Sequence, residues 1–251
     1  MTRLIFLGTG NALPDEHHEN THLALSYDDR LLMIDCVHNA VVRLGHAGVN
    51  YQHLTDLVLT HFHPDHVSGV PSLLMHSWLA GRRSLLHIYG LAHTLDRIEK
   101  VMEFYDWGSW PNFFPVQFHR LVEQEMHLAL ETPQFRLFTS PVRHMIPAIG
   151  VRIELAQNGK ILAYSGDTAP CDEVVRLAQG ADVLIHESGG ATNGHTSAGQ
   201  AGEIAGRAGA GHLYLVHYPT GDFDSHSLED EARQTFSGPV TLAEDFMSID
   251  L

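Results

Sequence analysis

The sequence predicts an α/β fold in which two sheets pack face to face with helices outside, a four-layer αββα sandwich. Two strand-rich stretches, 4–34 and 116–164, are each followed by alternating strands and helices. The strands are short apolar runs bounded by turn residues. No linker, low-complexity run or repeat interrupts the 251 residues, so residues 1–251 are expected to form a single domain.

The elements follow in order. Leu4–Leu7 reads as a strand. Leu23–Tyr27 and Leu31–Ile34 flank Asp28-Asp29, a hairpin signal. Asn39–Ala47 carries apolar residues at helical spacing. Leu57–Leu59 is a buried strand, Val67–Leu79 a helix, Leu85–Tyr89 a strand and Leu91–Phe104 a helix. Between Tyr105 and Pro115 periodicity stops, and Trp107, Trp110, Phe113 and Phe114 sit among Gly, Ser, Pro and Asn. The favoured reading tucks these rings onto the core; the alternative is a substrate-contacting lip or a subunit contact. Strands follow at Val116–Phe118, Met126–Leu130, Phe135–Thr139, Ile149–Leu155 and Lys160–Tyr164. Helix Val174–Ala178, strand Val183–Ile185, helix Ala198–Ala208, strand Leu213–Val216 and helix Leu228–Phe236 complete the alternation.

Composition narrows the function. At 44% hydrophobic and 18% charged, the chain is ordinary for a soluble globular protein. The N-terminal apolar run is too short for a signal peptide, and no stretch approaches a membrane span. Two cysteines, Cys36 and Cys171, leave no disulfide framework and fit a reducing, cytoplasmic compartment. A net charge of −15 argues against a broad nucleic-acid surface, which needs clustered Lys and Arg. Arg82-Arg83 is the only adjacent basic pair and reads as a solvated turn rather than a phosphate grip.

The densest chemistry lies in Thr60-His61-Phe62-His63-Pro64-Asp65-His66, which follows an apolar strand. Residues two apart on extended chain share a side, so His61 and His63 can grip one cation. Pro64 ends the extended run, and Asp65 and His66 enter a helix where they can face a second cation. Imidazole and carboxylate suit zinc, manganese or iron. Three strand-end residues, His144, Asp167 and His217, supply what the segment lacks.

With these residues in place the chain resembles the metallo-β-lactamase superfamily, and within it the ribonuclease Z-like phosphodiesterase branch. The resemblance runs from Phe6-Leu7-Gly8-Thr9-Gly10 through Ile34-Asp35-Cys36, the histidine cluster and Ser165-Gly166-Asp167-Thr168. It continues to Ile185-His186-Glu187 and His195-Thr196-Ser197. It implies the metallo-β-lactamase fold and two divalent ions, zinc by default with manganese or iron as alternatives. One ion would take His61, His63 and His144, and the other Asp65, His66 and His217, with Asp167 bridging both. Asp35 would support the ligands without touching metal. The resemblance also implies a shared water ionised between the ions as nucleophile, with Asp65 holding its proton. His195, paired with Glu187, would protonate the leaving group or contact a phosphoryl oxygen. His186 is not expected to be a ligand.

The resemblance further implies a phosphodiester substrate and a homodimer, with no membrane partner. Ribonuclease Z carries a long basic arm for transfer RNA; Tyr105–Pro133 here is short, aromatic and acidic. A small phosphodiester or short oligonucleotide is therefore as well matched as transfer RNA, and other RNA stays possible. The alternatives are hydrolysis of an ester, thioester, lactone or sulfate ester by the same ligand set, and a non-enzymatic metal-binding scaffold.

Overall fold

Short leucine-, isoleucine- and valine-rich runs pair into two seven-stranded mixed sheets, one in each of two units of the chain. The structure is a computed structural model and describes residues 2–221 and 226–251. The first unit comprises Met1–Gly8, Thr21–Leu121 and Phe246–Leu251; the second comprises Thr9–Asn20 and Val122–Asp245.

In the first unit β1 (Arg3–Gly8), β2 (His22–Tyr27) and β3 (Arg30–Ile34) pair antiparallel. The expected hairpin turns at Asp28, whose φ of 49° is left-handed, a region that Asp tolerates better than most side chains. β4 (Leu54–Val58), β5 (Leu86–Leu91) and β6 (Val116–Leu121) then add in parallel. Helix α1 (Ala40–His46) connects β3 to β4, and α4 (Ala92–Phe104) connects β5 to β6. Leu57, Ile88, Leu95, Ile98 and Met102 belong to this unit's core.

The helix expected over Val67–Leu79 is broken. Helix α2 (Pro64–Val67) stops at Ser68-Gly69, and α3 (Val70–Leu79) begins anew. The chain at Cys36-Val37 crosses this break. The Cys36 amide donates to the His66 carbonyl at 2.8 Å, and the Gly69 amide donates to the Cys36 carbonyl at 2.9 Å. A Cβ at Gly69 would lie 2.6 Å from the Val37 carbonyl carbon, so only glycine admits the approach.

The aromatic segment behaves as the favoured reading expects. Phe114 is buried, and Trp107, Trp110 and Phe113 pack against the first core. Trp110 stacks on Trp78 with centroids 4.8 Å apart. The reading of Arg82-Arg83 as a solvated turn is half wrong. Arg83 is exposed, but Arg82 is buried, its guanidinium donating to the carbonyls of Leu54, Ser84 and Leu85. Adjacent residues in a turn face opposite ways, and polarity alone could not say which arginine turned inward.

The second unit repeats the arrangement. β7 (His127–Glu131), β8 (Phe135–Val142), β9 (Ala148–Leu155) and β10 (Ile161–Tyr164) pair antiparallel. β11 (Val183–Glu187), β12 (His212–Val216) and β13 (Val240–Leu242) follow in parallel. Helices α5 (Asp172–Leu177), α6 (Ala198–Ala208) and α7 (His226–Arg233) connect the parallel strands. Ser197 and Gln200 form a capping box at the start of α6, and Gly209 ends it at φ 64°. β13 and β14 (Ser248–Asp250), which pairs with β1, carry no apolar run, so the sequence did not announce them.

Each sheet thus has three antiparallel pairings followed by three parallel ones. In open α/β sheets ligands gather outside the carboxyl ends of parallel strands. Asp35 follows β3, His61 follows β4, Asp167 follows β10, Glu187 ends β11 and His217 follows β12. Among the described residues no helix is long and apolar enough to cross a membrane.

Candidate metal centre

In the first unit four candidate ligands come from six consecutive residues. His61 and His63 lie on extended chain beyond β4, and Pro64 opens α2 at its first position, where its missing amide costs nothing. His61 Nε2 and His63 Nδ1 are 3.0 Å apart, and His66 Nε2 is 3.5 Å from Asp65 Oδ2. The His61 and His66 ring centroids are 4.2 Å apart.

Asp35 organises this cluster. It is fully buried at φ 63°, and Thr60 donates to it through its amide at 2.8 Å and through its hydroxyl. His66 Nδ1 donates to Asp35 Oδ2 at 2.8 Å. That bond fixes the His66 tautomer and leaves Nε2 with its lone pair. The single Thr60 hydroxyl proton goes to Asp35, so Thr60 Oγ1 accepts from His61 Nδ1 at 3.0 Å. His61 Nε2 likewise keeps its lone pair. Burial pushes the Asp35 carboxyl up, against the opposing pull of His66 and Thr60.

In the second unit the residues are far apart in sequence. His144 donates from Nδ1 to the Gly194 carbonyl at 2.8 Å, which again leaves Nε2 with its lone pair. Asp167 follows Gly166, which takes φ 60°, and its Oδ2 lies 3.2 Å from His217 Nε2. His217 is itself left-handed at φ 54°, pinned by its amide to the Thr9 carbonyl at 2.7 Å. A histidine in that region is uncommon, and such strain concentrates at functional sites.

Glu187 is the hub. Fully buried, it accepts from the amides of Thr168 at 3.0 Å, Thr196 at 3.2 Å and Gly189 at 2.9 Å, and from His195 Nδ1 at 3.0 Å. One carboxylate therefore orients His195 and holds the turn that carries Asp167. The His195 ring stacks on His217 with centroids 5.4 Å apart and meets His144 edge-on at 5.0 Å. One donor atom each of His144, Asp167 and His195 lie within 4.8 Å of one another, and the same holds for Glu187, His195 and His217.

The donor set fits divalent metal ions. Zinc bonds of about 2.0–2.1 Å in a tetrahedron set neighbouring donors roughly 3.3 Å apart. The pairs His61–His63, Asp65–His66 and Asp167–His217 measure 3.0, 3.5 and 3.2 Å. His186 is buried, and its Nδ1 contacts the Glu187 carbonyl oxygen at 2.8 Å. The sequence reading did not assign roles to Thr60, the Gly194 carbonyl or the three amides on Glu187. Thr60 lay within the motif, but a backbone group leaves no signature in side-chain identity.

Comparison with known proteins agrees. Residues 30–218 match the family described as the beta-lactamase superfamily domain. The ribonuclease Z of Methanothermobacter thermautotrophicus is 28% identical over 306 residues, covering 100% of this chain and 97% of the relative. The short form of human tRNase Z is 25% identical with a TM-score of 0.81, covering 99% of this chain and 98% of that one. The metallo-β-lactamase fold protein YhfI of Bacillus subtilis is 23% identical with a TM-score of 0.84, covering 99% and 98%, and shares the fold. Two mixed sheets flanked by helices, with histidines and aspartates beyond the parallel strands, place this chain in the beta-lactamase superfamily.

Proposed function

We propose that the chain is a binuclear metal-dependent phosphodiesterase acting on small phosphodiesters or short oligonucleotides. Both units act as one hydrolase domain over residues 1–251. His61, His63 and His144 would hold one ion, and Asp65, His66 and His217 the other, with Asp167 shared; zinc is the default, manganese or iron the alternatives. Divalent cations at such a site supply a water of lowered pKa and neutralise charge on phosphoryl oxygens. The protein residues do the rest. Asp65 holds the nucleophile's proton by hydrogen bonding. His195, held by Glu187, donates a proton from Nε2 to the leaving oxygen or a hydrogen bond to a phosphoryl oxygen.

The observation that carries the phosphodiester reading is the Glu187–His195 pair beside Asp167, since a carboxylate-oriented imidazole is what an alkoxide leaving group needs. The ribonuclease Z relatives support it. Substrate size follows from the chain's brevity. The alignment with the Methanothermobacter enzyme spans 306 positions against 251 residues here, so at least 55 of its positions have no counterpart. At least eight of the thirteen arginines face carboxylates, which leaves few cations for a long phosphate backbone. A homodimer follows the family pattern, and the buried free thiols of Cys36 and Cys171 fit the cytoplasm.

Turnover by the metal-loaded protein should be measured on bis-p-nitrophenyl phosphate, oligoribonucleotides of increasing length, a lactone, a thioester and a sulfate ester. The proposal expects phosphodiester turnover that His195→Ala impairs. Turnover of carboxylic or sulfate esters alone, or none by the fully metallated protein, overturns it.

A further inference from the structure

We infer that the first unit carries a binding site for a small phosphate-type oxyanion around Arg82 and Arg83, at the end of β4 opposite the metal-binding segment. Strand β4 begins at Leu54, whose carbonyl Arg82 holds at 2.7 Å, and runs toward His61. The two places are therefore about seven residues of extended chain apart, roughly 20 Å. The inference does not depend on the reaction proposed above.

Burial is the first observation. Arg82 and Arg152 are the buried arginines among the described residues, at 9% and 7% exposure. Arg152 donates to two carbonyls and pairs with Glu154 at 2.9 Å. Arg82 donates to three carbonyls, from Nε at 2.9 Å and from Nη2 at 2.7 and 2.9 Å, but faces no carboxylate among the described residues. Burial alone pulls its pKa down, with no acidic neighbour to restore it. Carbonyls satisfy donors but do not neutralise charge, so the guanidinium lacks a counter-ion. Its Nη1 has no acceptor among the described residues.

The surroundings are the second observation. Arg82 lines a cavity of about 220 Å³ together with Tyr51, Gln52, Ser77, Arg83 and Ser84. The lining holds two guanidiniums, three hydroxyls and an amide, and no acid, in a chain with 30 Asp and Glu. Arg83 uses Nη1 on the Arg82 and Asn112 carbonyls and keeps its other donors available. Many donors converging on a small volume suit a tetrahedral oxyanion with several acceptor oxygens better than a carboxylate with two. Drug-sized ligands occupy about 300–1,000 Å³, so this cavity takes inorganic phosphate or the phosphate of a small monoester.

Calorimetric titration of the metal-loaded protein with inorganic phosphate, a nucleoside 5′-monophosphate and acetate tests this. Phosphate should show a binding event that His195→Ala leaves intact and that Arg83→Gln with Ser77→Ala weakens by about tenfold or more. Phosphodiester turnover of that double variant should be unchanged. Arg82→Gln removes a tie between β4 and β5 and risks misfolding, so Arg83 and Ser77 carry the test. Their variant must match the parent in circular dichroism and in Tm without phosphate. Equal affinity for phosphate and the monophosphate identifies free phosphate as the ligand, and tighter monophosphate binding identifies a nucleotide; either supports the site. Phosphate binding untouched by the double variant, or acetate bound as tightly as phosphate, overturns it.

Discussion

The two units reach the same chemistry by opposite routes. The first draws His61, His63, Asp65 and His66 from one six-residue segment, supported by the single buried carboxylate of Asp35. The second collects His144, Asp167, Glu187, His195 and His217 from four separate places along the chain, and Glu187 ties two of its loops together. Both use the carboxyl ends of parallel strands. A contiguous motif is held mainly by local geometry, whereas a dispersed one depends on a buried hub. Damage to the second unit should therefore spread further than damage to the first.

The sharpest way to break the comparison is to remove a ligand. Asp167→Ala in the second unit and His61→Ala in the first should each lower phosphodiester kcat/KM by on the order of 10³-fold or more, with metal content reduced in elemental analysis. Treatment of the parent with a chelator should reproduce the loss, and added zinc or manganese should reverse it only in the parent. A ligand variant that kept full metal and full activity would remove that residue from the centre.

Next in size is His195→Ala, expected to lower kcat by about 10²–10⁴-fold while metal content holds. A leaving group of low pKa, such as p-nitrophenolate, needs no proton, so the defect should shrink on that substrate. Glu187→Gln should combine this defect with a loss of about 1–3 kcal/mol in stability, because an amide NH₂ meets backbone donors where the carboxylate accepted them. Asp35→Asn should weaken metal binding by about 10–100-fold with a smaller effect on kcat of the saturated enzyme. If Asp35→Asn proved as damaging to stability as Glu187→Gln, the contrast between local and dispersed support would fail.

The same contrast explains what the sequence disclosed. The strands and helices of both units were legible because apolar runs and 3.6-residue periodicity survive in the residues themselves. The first unit's candidate ligands were legible because their spacing is geometric. His144, Asp167 and His217 stood out only as polar residues ending apolar strands, and needed the resemblance to gain roles. The Gly189, Thr168 and Thr196 amides that hold Glu187 were not legible, since any residue presents an amide. The break at Ser68-Gly69 arises from the crossing of Cys36-Val37, a contact 32 residues away that helical periodicity does not record. The inward turn of Arg82 depends on carbonyls at Leu54 and Leu85, again invisible from composition.

The smallest expected effect concerns the turn that follows His217. Asp15 accepts from the amides of His17 and His18 at 2.8 Å each, from the His18 ring at 3.0 Å and from the Gly221 amide at 2.9 Å. Desolvation pushes its carboxyl up, but the amides and His18 outweigh it and hold the pKa well below the usual carboxylate range. A depressed folded-state pKa stabilises above the unfolded value, near 3.9, and that stabilisation is lost as pH falls through the folded value. Asp15→Asn should therefore cost about 1 kcal/mol or less at pH 7. The difference in Tm between parent and variant should begin to narrow as pH falls below about 4 and keep narrowing through pH 2 towards the folded value. Melting both proteins metal-free removes ligand protonation as a shared cause. A gap that stayed constant from pH 7 to pH 2 would show that Asp15 acts through shape rather than charge, and that the candidate ligand His217 is held by its own backbone alone.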